Sequence, residues 1–516
     1  MIFIPSSQYV RIEIQNEIGN LPPTFSFLQN RRLYAFQVDL LKQYWKDERI
    51  ILSLPEFFEI PEVDMQRLEN LKVDVFRDSP KNKLGKHLHN FISEYKPNSI
   101  KILHGDTFFN ALPLKKDTVV IGKPIESADW YMSKTSKEKD YVWAGFFNIS
   151  NAQLFHQSLI DYDFSFEKSI EEMFRKLSMK DSKTEHWFDF GHIEGFHKSR
   201  QRYTTERSFN NLKVNKYEVI KSSKNKEKIK NEFNWFNSLP SHLRKFSPNV
   251  YDLVEESSSF SYKMNYIYGF SLSELMLFSR LNKKQWEMIV IEINLILMDQ
   301  QKYLPNNSYE LSESFIEEIL ESKNKGRIRK IYESGFIKEE SAIFLNDQDL
   351  GTLNEIVIFL NDLISKNEAI PSFIHGDLCF SNIIYKARGN TLKFLDPRGI
   401  ASGEIPIGDQ RYDLAKLSHS IFWGYDRVIS GEALFKKSGN CFNKSNKVFI
   451  NDNQEIIKDL IKSNNELKIL LREDIQALTS LLFISMIPLH ADSIERQESL
   501  LGIGLDIFSK LKFGEK

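Results

Sequence analysis

The sequence predicts an α/β domain with a mostly parallel sheet, followed by an α+β domain of two lobes. Short apolar runs alternate with amphipathic helical stretches up to about residue 210, and beyond it a hairpin pattern precedes segments that are mostly helical. A chain of 516 residues also exceeds one ordinary core, which favours several domains. We therefore expect an α/β domain over 1–210, a small lobe over 211–270 and a helical lobe over 271–516.

The first part contains apolar runs that have the length of buried strands. They are Ile50–Leu54, Ser99–Leu103 and Thr118–Ile121, and an amphipathic helix is predicted over Leu33–Tyr44. Buried strands that alternate with helices are typical of a parallel sheet, which binds its ligands at the carboxyl ends of the strands. Polar residues just after such strands are therefore candidate site residues.

The second part begins with a different pattern. The segment Leu212–Lys221 alternates polar and apolar residues about Asn215-Lys216, which predicts a hairpin. Most segments from Leu272 onward are predicted to be helical, and one long apolar helix is predicted over Ile475–Leu489. A small β-rich region followed by a helical region predicts a two-lobed domain.

The composition excludes several classes of protein. With 69 Lys and Arg against 70 Asp and Glu, the formal charge of −1 gives no overall field that would attract nucleic acid or an anionic membrane. The opening run Met1–Ser7 lacks the basic flank of a signal peptide, and no window holds ~18 or more uncharged apolar residues. We expect a globular cytoplasmic protein with no nucleic-acid or membrane partner.

Three side chains of the second part have the order and spacing that phosphoryl transfer requires. Asp377 follows a strand-like run, Asn382 comes five residues later, and Asp396 follows fourteen residues after that. A carboxylate on such a loop can orient an acceptor hydroxyl, while an amide oxygen and a second carboxylate can bind Mg²⁺. His375 is expected to hold the loop by hydrogen bonds.

A cation for the nucleotide phosphates is expected upstream. Lys221 ends a predicted strand and Glu232 lies on the next predicted helix, an arrangement in which an ion pair holds the ammonium group against the phosphates. Glu227 is the alternative partner for this lysine.

The second part, from about Lys213 to the end, resembles the aminoglycoside phosphotransferase and choline kinase family. The resemblance rests on three segments: Ile374–Ile384 (Ile-His-Gly-Asp-Leu-Cys-Phe-Ser-Asn-Ile-Ile), Leu395–Gly399 (Leu-Asp-Pro-Arg-Gly) and Gly408–Ala415 (Gly-Asp-Gln-Arg-Tyr-Asp-Leu-Ala). It implies a protein-kinase-like fold and ATP as the phosphate donor.

The same resemblance implies roles for individual residues. Asp377 would be the catalytic base, Asn382 and Asp396 would be Mg²⁺ ligands, and Asp413 would brace the catalytic loop.

The resemblance also places Met264 and Tyr266 where the family's adenine-binding hinge falls. The sequence departs from the family before Lys221, where no glycine-rich loop appears. Ser208 and Asn210–Asn211 are the small polar candidates there, so the nucleotide is less well defined than the metal and base positions.

The first part carries a second pair of carboxylates. Asp106 follows the predicted strand that ends at Leu103, and Asp189 lies in the segment Trp187–His192. Two carboxylates brought together at strand ends can clamp a Mg²⁺ that binds a triphosphate.

These segments resemble the sugar-nucleotide pyrophosphorylase (nucleotidyltransferase) family. Tyr141–Phe146 resembles the strand with which that family contacts its sugar, and Leu33–Leu41 resembles the helix after its pyrophosphate loop. The resemblance spans about residues 1–210 and implies Asp106 and Asp189 as metal ligands, with CTP, UTP or dTTP as the nucleotide.

The first part departs from this family at its start. The segment Ile4–Arg11 has no glycine where the family has a glycine-rich loop, and the charge would come from Arg11, or from Arg31 or Arg32. Lys198 and Arg200 are candidate phosphate contacts, with an exposed basic loop as the alternative interpretation.

Together these features predict a bifunctional enzyme. The kinase would phosphorylate a hydroxyl of a small alcohol, amino alcohol or sugar, and the nucleotidyltransferase would convert the phosphate to a nucleoside-diphosphate derivative for capsule or lipopolysaccharide synthesis. One alternative is a kinase with a catalytically silent amino-terminal binding or scaffolding domain, and another is a non-catalytic regulatory protein. The oligomeric state is not predicted. Acceptor contacts are expected from the helical lobe, with these candidates on position alone: Asp409, Trp423, Asp426, His490 and Asp492.

Overall fold

A computed structural model describes residues 1–125, 141–207, 212–215, 217–255, 259–400, 403–445 and 449–514. The chain divides into two compact units, the first formed by residues 1–206 with 278–280 and the second by residues 207–277 with 281–516. Four positions singled out in the sequence lie outside the described residues: Ser208, Asn210, Asn211 and Lys216. Residue 210, the expected domain boundary, lies among them.

The first unit alternates strands and helices. Its strands are β1 (Ile2–Ile4), β2 (Phe27–Leu28), β3 (Arg31–Arg32), β4 (Ile50–Pro55), β5 (Val73–Asp78), β6 (Ile100–Leu103), β7 (Thr107–Phe109), β8 (Thr118–Gly122), β9 (Val142–Ile149), β10 (Lys180–Thr184) and β11 (Trp187–Asp189). Its helices are α1 (Ile12–Ile18), α2 (Leu33–Tyr44), α3 (Glu62–Asn70), α4 (Leu84–Tyr95), α5 (Ala152–Asp161), α6 (Phe166–Lys176) and α7 (Ile193–Arg207).

Seven of the described strands form one sheet in the order β10-β8-β9-β6-β1-β4-β5. β1 pairs in parallel with β4 and β6, β4 pairs in parallel with β5, and β10 pairs in parallel with β8. Only β9 runs antiparallel to its neighbours. The prediction of a mostly parallel sheet is confirmed, as are the strands predicted at Ile50 and Thr118 and the helix predicted over Leu33–Tyr44.

A buried core lies between this sheet and helices α4, α5 and α6. Phe3 of β1 and Ile102 of β6 are fully buried in it, together with Phe91, Phe155 and Ile170 of the three helices. Strands buried in this way read as continuous apolar runs, which is why their positions are visible in the sequence. The core fixes β1 and β6 side by side, so the segments that follow them meet at one edge of the sheet.

The second unit begins with strands and continues with helices. Its strands are β12 (Leu212–Val214), β13 (Glu218–Ser223), β14 (Val250–Glu255), β15 (Phe260–Asn265), β16 (Phe270–Ser271), β17 (Ile343–Leu345), β18 (Gln348–Gly351), β19 (Pro371–Phe373), β20 (Ile383–Lys386), β21 (Thr391–Phe394), β22 (Ile407–Asp409), β23 (Phe435–Ser438) and β24 (Cys441–Lys444).

The helices of the second unit are α8 (Lys226–Ser238), α9 (Leu272–Phe278), α10 (Lys283–Asp299), α11 (Ser308–Glu317), α12 (Lys325–Glu333), α13 (Leu353–Ser365), α14 (Gln410–Ile421), α15 (Tyr425–Ile429), α16 (Asp452–Ser463), α17 (Glu473–Met486) and α18 (Ile494–Phe513). A π-helix, Glu318–Asn324, joins α11 to α12. Short 3₁₀ turns lie at Phe380–Asn382 and Ile487–His490.

The predicted hairpin is confirmed at the start of the unit. β12 and β13 are antiparallel, with Leu212 opposite Lys221, and they form a sheet in the order β12-β13-β15-β14. Helix α8 packs against this sheet. Lys221 therefore lies on a strand that is braced on one side by a helix.

Two features of the second unit differ from the expectation. The apolar helix predicted over Ile475–Leu489 ends at Met486, because Pro488 cannot donate the next helical hydrogen bond, and a 3₁₀ turn follows. A four-stranded sheet in the order β18-β17-β24-β23 was not predicted. Its strands are three or four residues long, and β17 pairs with β24, which is distant in sequence.

A buried ion pair ties β22 and α14 to α17. Arg411 bonds Asp409 at 2.7 Å and Asp474 at 3.3 Å, and its Nη1 also donates to the carbonyl groups of Ile364 and Asn367. Asp409 is fully buried. The prediction that Asp409 contacts the acceptor is therefore wrong, because its buried carboxylate is paired with Arg411.

No helix in the described ranges combines the length and the apolar character that crossing a membrane would require.

Candidate active sites

The second unit contains a cavity of about 940 Å³. Residues from strands, loops and helices far apart in the sequence line it. Five of them are residues that the sequence singled out for phosphoryl transfer: Lys221, Glu232, Asp377, Asn382 and Asp396.

Lys221 lies between two carboxylates in this cavity. Its Nζ is 2.6 Å from Glu232 Oε2 and 2.7 Å from Asp396 Oδ1. Glu232 is buried and also accepts a hydrogen bond from the Tyr262 hydroxyl at 3.1 Å. Burial lowers the pKa of Lys221, but Asp396 and Glu232 outweigh that effect and raise it above its ordinary value. The lysine is thus held as a cation, and Glu232, rather than Glu227, is the partner on α8.

The loop that carries Asp377 is held by a buried carboxylate on α14. Asp413 accepts the backbone N–H groups of His375 at 2.7 Å and of Gly376 at 2.8 Å. Burial lowers the pKa of His375 to about 4, so its ring is neutral. The ring Nε2 then donates to the Leu395 carbonyl at 3.0 Å, and Nδ1 accepts the Asp377 N–H at 3.2 Å. His375 therefore ties the loop to the segment that carries Asp396.

The stability of the protein should fall as Asp413 ionises. Burial raises the pKa of Asp413 from 3.8 to about 6, against the opposing effect of the two backbone N–H groups. The folded state therefore favours the neutral carboxyl group. Its contribution to the free energy of unfolding is fully present below the ordinary pKa and is lost as the pH rises through about 6, a loss of ~3 kcal/mol.

Urea unfolding of wild type and Asp413→Asn between pH 4 and 7.5 measures this effect. The difference in free energy of unfolding, wild type minus variant, should decrease as the pH rises, because the amide does not titrate. A difference that stays constant with pH would contradict the raised pKa. Asp362→Asn is the control, because Asp362 is exposed and paired with Lys366.

Asp377 faces a lysine that the sequence analysis did not identify. Its Oδ1 is 2.9 Å from Lys416 Nζ, and its side chain remains 41% exposed. Burial raises the pKa of Asp377, but Lys416 outweighs that effect and the net pKa is lower than usual. Burial lowers the pKa of Lys416, but Asp377 and other nearby groups outweigh burial, so the pKa is well above its ordinary value. Asp377 is therefore an ionised carboxylate that can orient a hydroxyl group.

Asn382 and Asp396 lie next to each other. The backbone N–H of Leu395 donates to the Asn382 carbonyl at 2.9 Å, which places Asp396 beside the loop. Asn382 Nδ2 donates to the Asp377 carbonyl and to Asp377 Oδ2, at 2.9 and 3.1 Å, so its amide oxygen points away from those groups. The Asp396 side chain is 56% exposed. An amide oxygen and an accessible carboxylate are the ligand types that Mg²⁺ takes.

The remaining candidates of the second unit do not line the cavity, except for His490. Met264 is buried on β15 opposite Val219, and the Tyr266 N–H donates to the Tyr217 carbonyl at 2.8 Å. Their assignment to an adenine-binding hinge stays a prediction. Trp423 and Asp492 do not line the cavity either. The Trp423 indole donates a hydrogen bond to Gln476 at 2.7 Å, and Asp492 pairs with Arg496 at 3.0 Å.

The two carboxylates of the first unit flank one glycine. Thr107 of β7 pairs with Asp189 of β11, so Asp106 lies next to the end of the paired strand. A Cβ atom on Gly191 would collide with Asp106 Oδ2 and would lie 3.4 Å from Asp189 Oδ1. The fold therefore brings together the two residues that the sequence singled out.

Asp189 is the more buried of the two, at 2% exposure. It accepts the Gly191 N–H at 3.0 Å, and the His192 ring lies 3.0 Å from its other oxygen. Burial raises the pKa of Asp189 and the nearby Asp106 adds to the rise, while His192 opposes it. A cation between the two carboxylates would relieve this repulsion.

A smaller cavity of about 140 Å³ lies at the carboxyl ends of β1 and β6, and Asp106 lines it. The glycine-free segment after β1 is held there by side chains. The Ser6 N–H donates to Ser53 Oγ at 2.7 Å, Ser53 Oγ also bonds the His87 ring at 2.7 Å, and His87 in turn pairs with Asp78. The segment after β1, where the sequence analysis found no glycine, is thus tied to the sheet by side-chain hydrogen bonds.

The other predicted phosphate contacts of the first unit do not line this cavity. Arg11 is exposed just before α1, Lys198 is half-buried on α7, and Arg200 donates to the Phe27 carbonyl at 3.0 Å. Within the described residues, no group of three or more His, Cys, Asp or Glu side chains is placed to hold a metal ion. A Mg²⁺ in either unit would therefore need phosphate oxygens or water to complete its coordination.

Sequence reasoning missed several cavity residues of the second unit. Lys416 follows Asp413 by about one helical turn on α14, and every residue of this helix is buried. A lysine in a buried helix could have been identified as a candidate site residue. Lys323 and Arg327 lie in and just after the π-helix, in a region rich in charged residues. Nothing in that local pattern distinguishes them from exposed surface cations.

Comparison with protein-family models gives no match, and comparison with curated proteins gives none. Among solved structures, parts of the chain are similar to a nucleoside-diphosphate-sugar pyrophosphorylase from Vibrio cholerae, with 9% identity and a TM-score of 0.33 over 39% of this chain and 99% of that chain. A UTP-bound UGPase from Acinetobacter baumannii gives 12% identity and a TM-score of 0.30 over 40% of this chain and 94% of that chain. A thermostable mutant of the aminoglycoside phosphotransferase APH(4)-Ia gives 10% identity and a TM-score of 0.37 over 58% and 88%.

Proposed function

We propose that this chain is a bifunctional enzyme. The second unit phosphorylates a hydroxyl of a small alcohol, amino alcohol or sugar with ATP, and the first unit activates the resulting phosphate as a nucleoside-diphosphate derivative. The product would serve surface polysaccharide synthesis, of the capsule or lipopolysaccharide.

The observation that carries the kinase proposal is the position of Lys221. One ammonium group contacts both Glu232 and Asp396, at 2.6 and 2.7 Å, within the cavity that also contains Asp377 and Asn382. A cation, an accessible carboxylate, an amide oxygen and a hydroxyl-orienting carboxylate are the groups that phosphoryl transfer uses. Their convergence from distant parts of the sequence supports a transfer site.

Each residue has a distinct role in this proposal. Lys221 holds the nucleotide phosphates, and Glu232 keeps its ammonium group in place. Asp377 orients the acceptor hydroxyl and receives its proton, with Lys416 keeping the carboxylate ionised until then. Asn382 and Asp396 would hold Mg²⁺, which would neutralise charge on the nucleotide phosphates.

In the first unit, we propose that Asp106 and Asp189 hold Mg²⁺ for nucleotidyl transfer. The attacking group would be the phosphate made by the kinase, and the leaving group would be pyrophosphate from CTP, UTP or dTTP. The juxtaposition of the two carboxylates at Gly191 supports this assignment. Arg11 and Lys198 remain proposals for phosphate contact.

Two coupled measurements test the proposal. The first follows ADP formation from ATP with choline, ethanolamine, amino acids, polyols and hexosamines as acceptors. The second adds CTP, UTP or dTTP to the phosphorylated acceptor and follows pyrophosphate release. We expect one acceptor class to give ADP, and its phosphate to give pyrophosphate with one of the three triphosphates. Absence of ADP formation with every one of these acceptors and with hydroxy acids and phosphorylated alcohols would remove the kinase proposal.

A kinase with a silent first unit is the second candidate. The cavity at the carboxyl ends of β1 and β6 measures about 140 Å³, below the ~300–1,000 Å³ of a typical small-molecule pocket. In that case ADP forms but no triphosphate yields pyrophosphate, so the two measurements separate the candidates.

A further inference from the structure

The cavity of the second unit carries more positive than negative side chains. Its carboxylates are Glu232, Asp377 and Asp396, and each already contacts a lysine of the cavity. Four further cations also line it: Lys228, Lys323, Arg327 and Arg398. Among the described residues of the cavity wall, none of the four has a carboxylate partner.

Three of these cations, Lys323, Arg327 and Arg398, come from segments other than the strand and helix that carry Lys221 and Glu232. Lys228 is on α8, the helix that carries Glu232. Lys323 and Arg327 instead come from the π-helix and α12, which pack near α17 and the turn after it. Apolar side chains of that region complete the wall: Ile319, Leu482, Met486 and Leu489.

Of Lys323, Arg327 and Arg398, Arg327 is the one without an ion pair in the described part of the chain. Its one hydrogen bond within the described residues joins Nη1 to the Ser485 hydroxyl, a neutral group, at 3.3 Å. Lys323 and Arg398 both approach Glu318, at 2.8 and 4.0 Å, so one largely exposed carboxylate serves two cations.

Arg398 connects this group to the catalytic loop. Its backbone N–H donates to the His375 carbonyl at 2.8 Å, and its side chain packs over Gly376, where an added Cβ would lie 2.5 Å from Arg398 Cβ. Gly376 directly precedes Asp377. The cationic wall therefore begins beside the carboxylate that orients the acceptor hydroxyl.

We infer that the acceptor of the proposed phosphotransferase is an anionic alcohol, whose carboxylate or phosphate group is bound by Arg327, Lys323 and Arg398. This inference rests on the proposed function and narrows its acceptor class. Guanidinium groups bind carboxylate and phosphate oxygens in a bidentate manner. A cationic amino alcohol would instead meet these three cations, and each described carboxylate of the cavity wall already contacts a lysine. The π-helix that presents Lys323 is a form found often at functional sites.

Two matched series of acceptors test the inference. The small series is glycerol, ethanolamine, D-glycerate and glycerol 3-phosphate, and the larger series is glucose, glucosamine, glucuronate and glucose 6-phosphate. Binding to the full chain is measured by calorimetry with a non-hydrolysable ATP analogue and Mg²⁺, and turnover is measured as ADP formation. We expect a carboxylate or phosphate member to bind at least ~10-fold more tightly than the amine member of its series. The better of the two anionic members identifies the group.

Arg327→Ala should weaken that binding by ~10- to 100-fold and raise the KM for the acceptor, while the KM for ATP changes by less than ~3-fold. Arg327→Lys should bind the anionic acceptor more tightly than Arg327→Ala does, because it keeps a positive charge. A purely structural role of Arg327 predicts no such dependence on charge. The matched control is Arg329→Ala, because Arg329 is on the same helix, is exposed and pairs with Glu333 at 2.9 Å. It should leave both constants unchanged.

The inference is overturned if the amine members bind as tightly as the anionic ones, if neither anionic member binds, or if Arg327→Ala acts on ATP instead of the acceptor. Failure of the proposed function has a different signature. In that case neither these two series nor the wider set of acceptors gives ADP, whether or not an anionic member binds.

Discussion

Replacement of Asp377 by Asn is expected to lower kinase turnover by ~10²- to 10⁴-fold, because a neutral amide cannot accept the proton of the hydroxyl. The change keeps the shape of the side chain. The KM for ATP should change little, since Lys221, Asn382 and Asp396 remain. ADP formation at saturating ATP measures the effect.

The same variant has a consequence for stability that must be separated from catalysis. Lys416 loses the carboxylate that faces it at 2.9 Å and stays buried. Leaving a buried lysine without its carboxylate is destabilising. A melting curve therefore accompanies the assay, and the double variant Asp377→Asn with Lys416→Met, which leaves no unpaired buried lysine, shows how much of any loss of stability comes from Lys416. Near wild-type turnover by a folded Asp377→Asn protein would remove Asp377 from the proposed mechanism.

Replacement of Asp189 by Asn is expected to lower pyrophosphate release by ~10³-fold while ADP formation stays at the wild-type level. The loss is expected because the proposed Mg²⁺ site keeps only one charged ligand, Asp106. The substitution also removes a buried carboxylate whose pKa is raised by burial and by Asp106. Folding should therefore not suffer greatly, which separates this variant from a simple loss of structure.

Asp106→Asn should reproduce the loss of pyrophosphate release, and a surface variant such as Asp161→Asn serves as the control. If both Asp106→Asn and Asp189→Asn release pyrophosphate at the wild-type rate, the two carboxylates do not form the proposed site. If the wild type itself releases none with any triphosphate, the silent-domain alternative is supported.

The parts of the kinase-like site that could be predicted depend on short, fixed spacings. Asp377, Asn382 and Asp396 lie on one loop and the hairpin that follows it, so local sequence places them close together. Lys221 and Glu232 are on consecutive elements, a strand and the next helix. In the first unit, Asp106 and Asp189 each follow or end a buried strand whose apolar run is visible in the sequence.

The parts that could not be predicted depend on pairing between distant segments. β17 and β24 form a sheet although nearly a hundred residues separate them, and their short runs have no pattern that local reasoning resolves. Asp409 looked like an available carboxylate, but its neighbour Arg411 and the distant Asp474 bury it in an ion pair. Whether Lys416 and Arg327 line the cavity depends on which face of each helix meets it, and local sequence does not show that face.

The winding of the π-helix at Glu318–Asn324 determines the direction in which the side chains of the following helix point. An i→i+5 turn accommodates one residue more than an α-helical turn, and each residue of an α-helix rotates the side-chain direction by about 100°. If the same residues were wound as ordinary α-helix, Arg327 would turn away from the cavity, whereas loss of one residue from the segment would leave its direction nearly unchanged. The proposed recognition of an anionic acceptor by Arg327 therefore depends on how this segment is wound as well as on which side chains it carries.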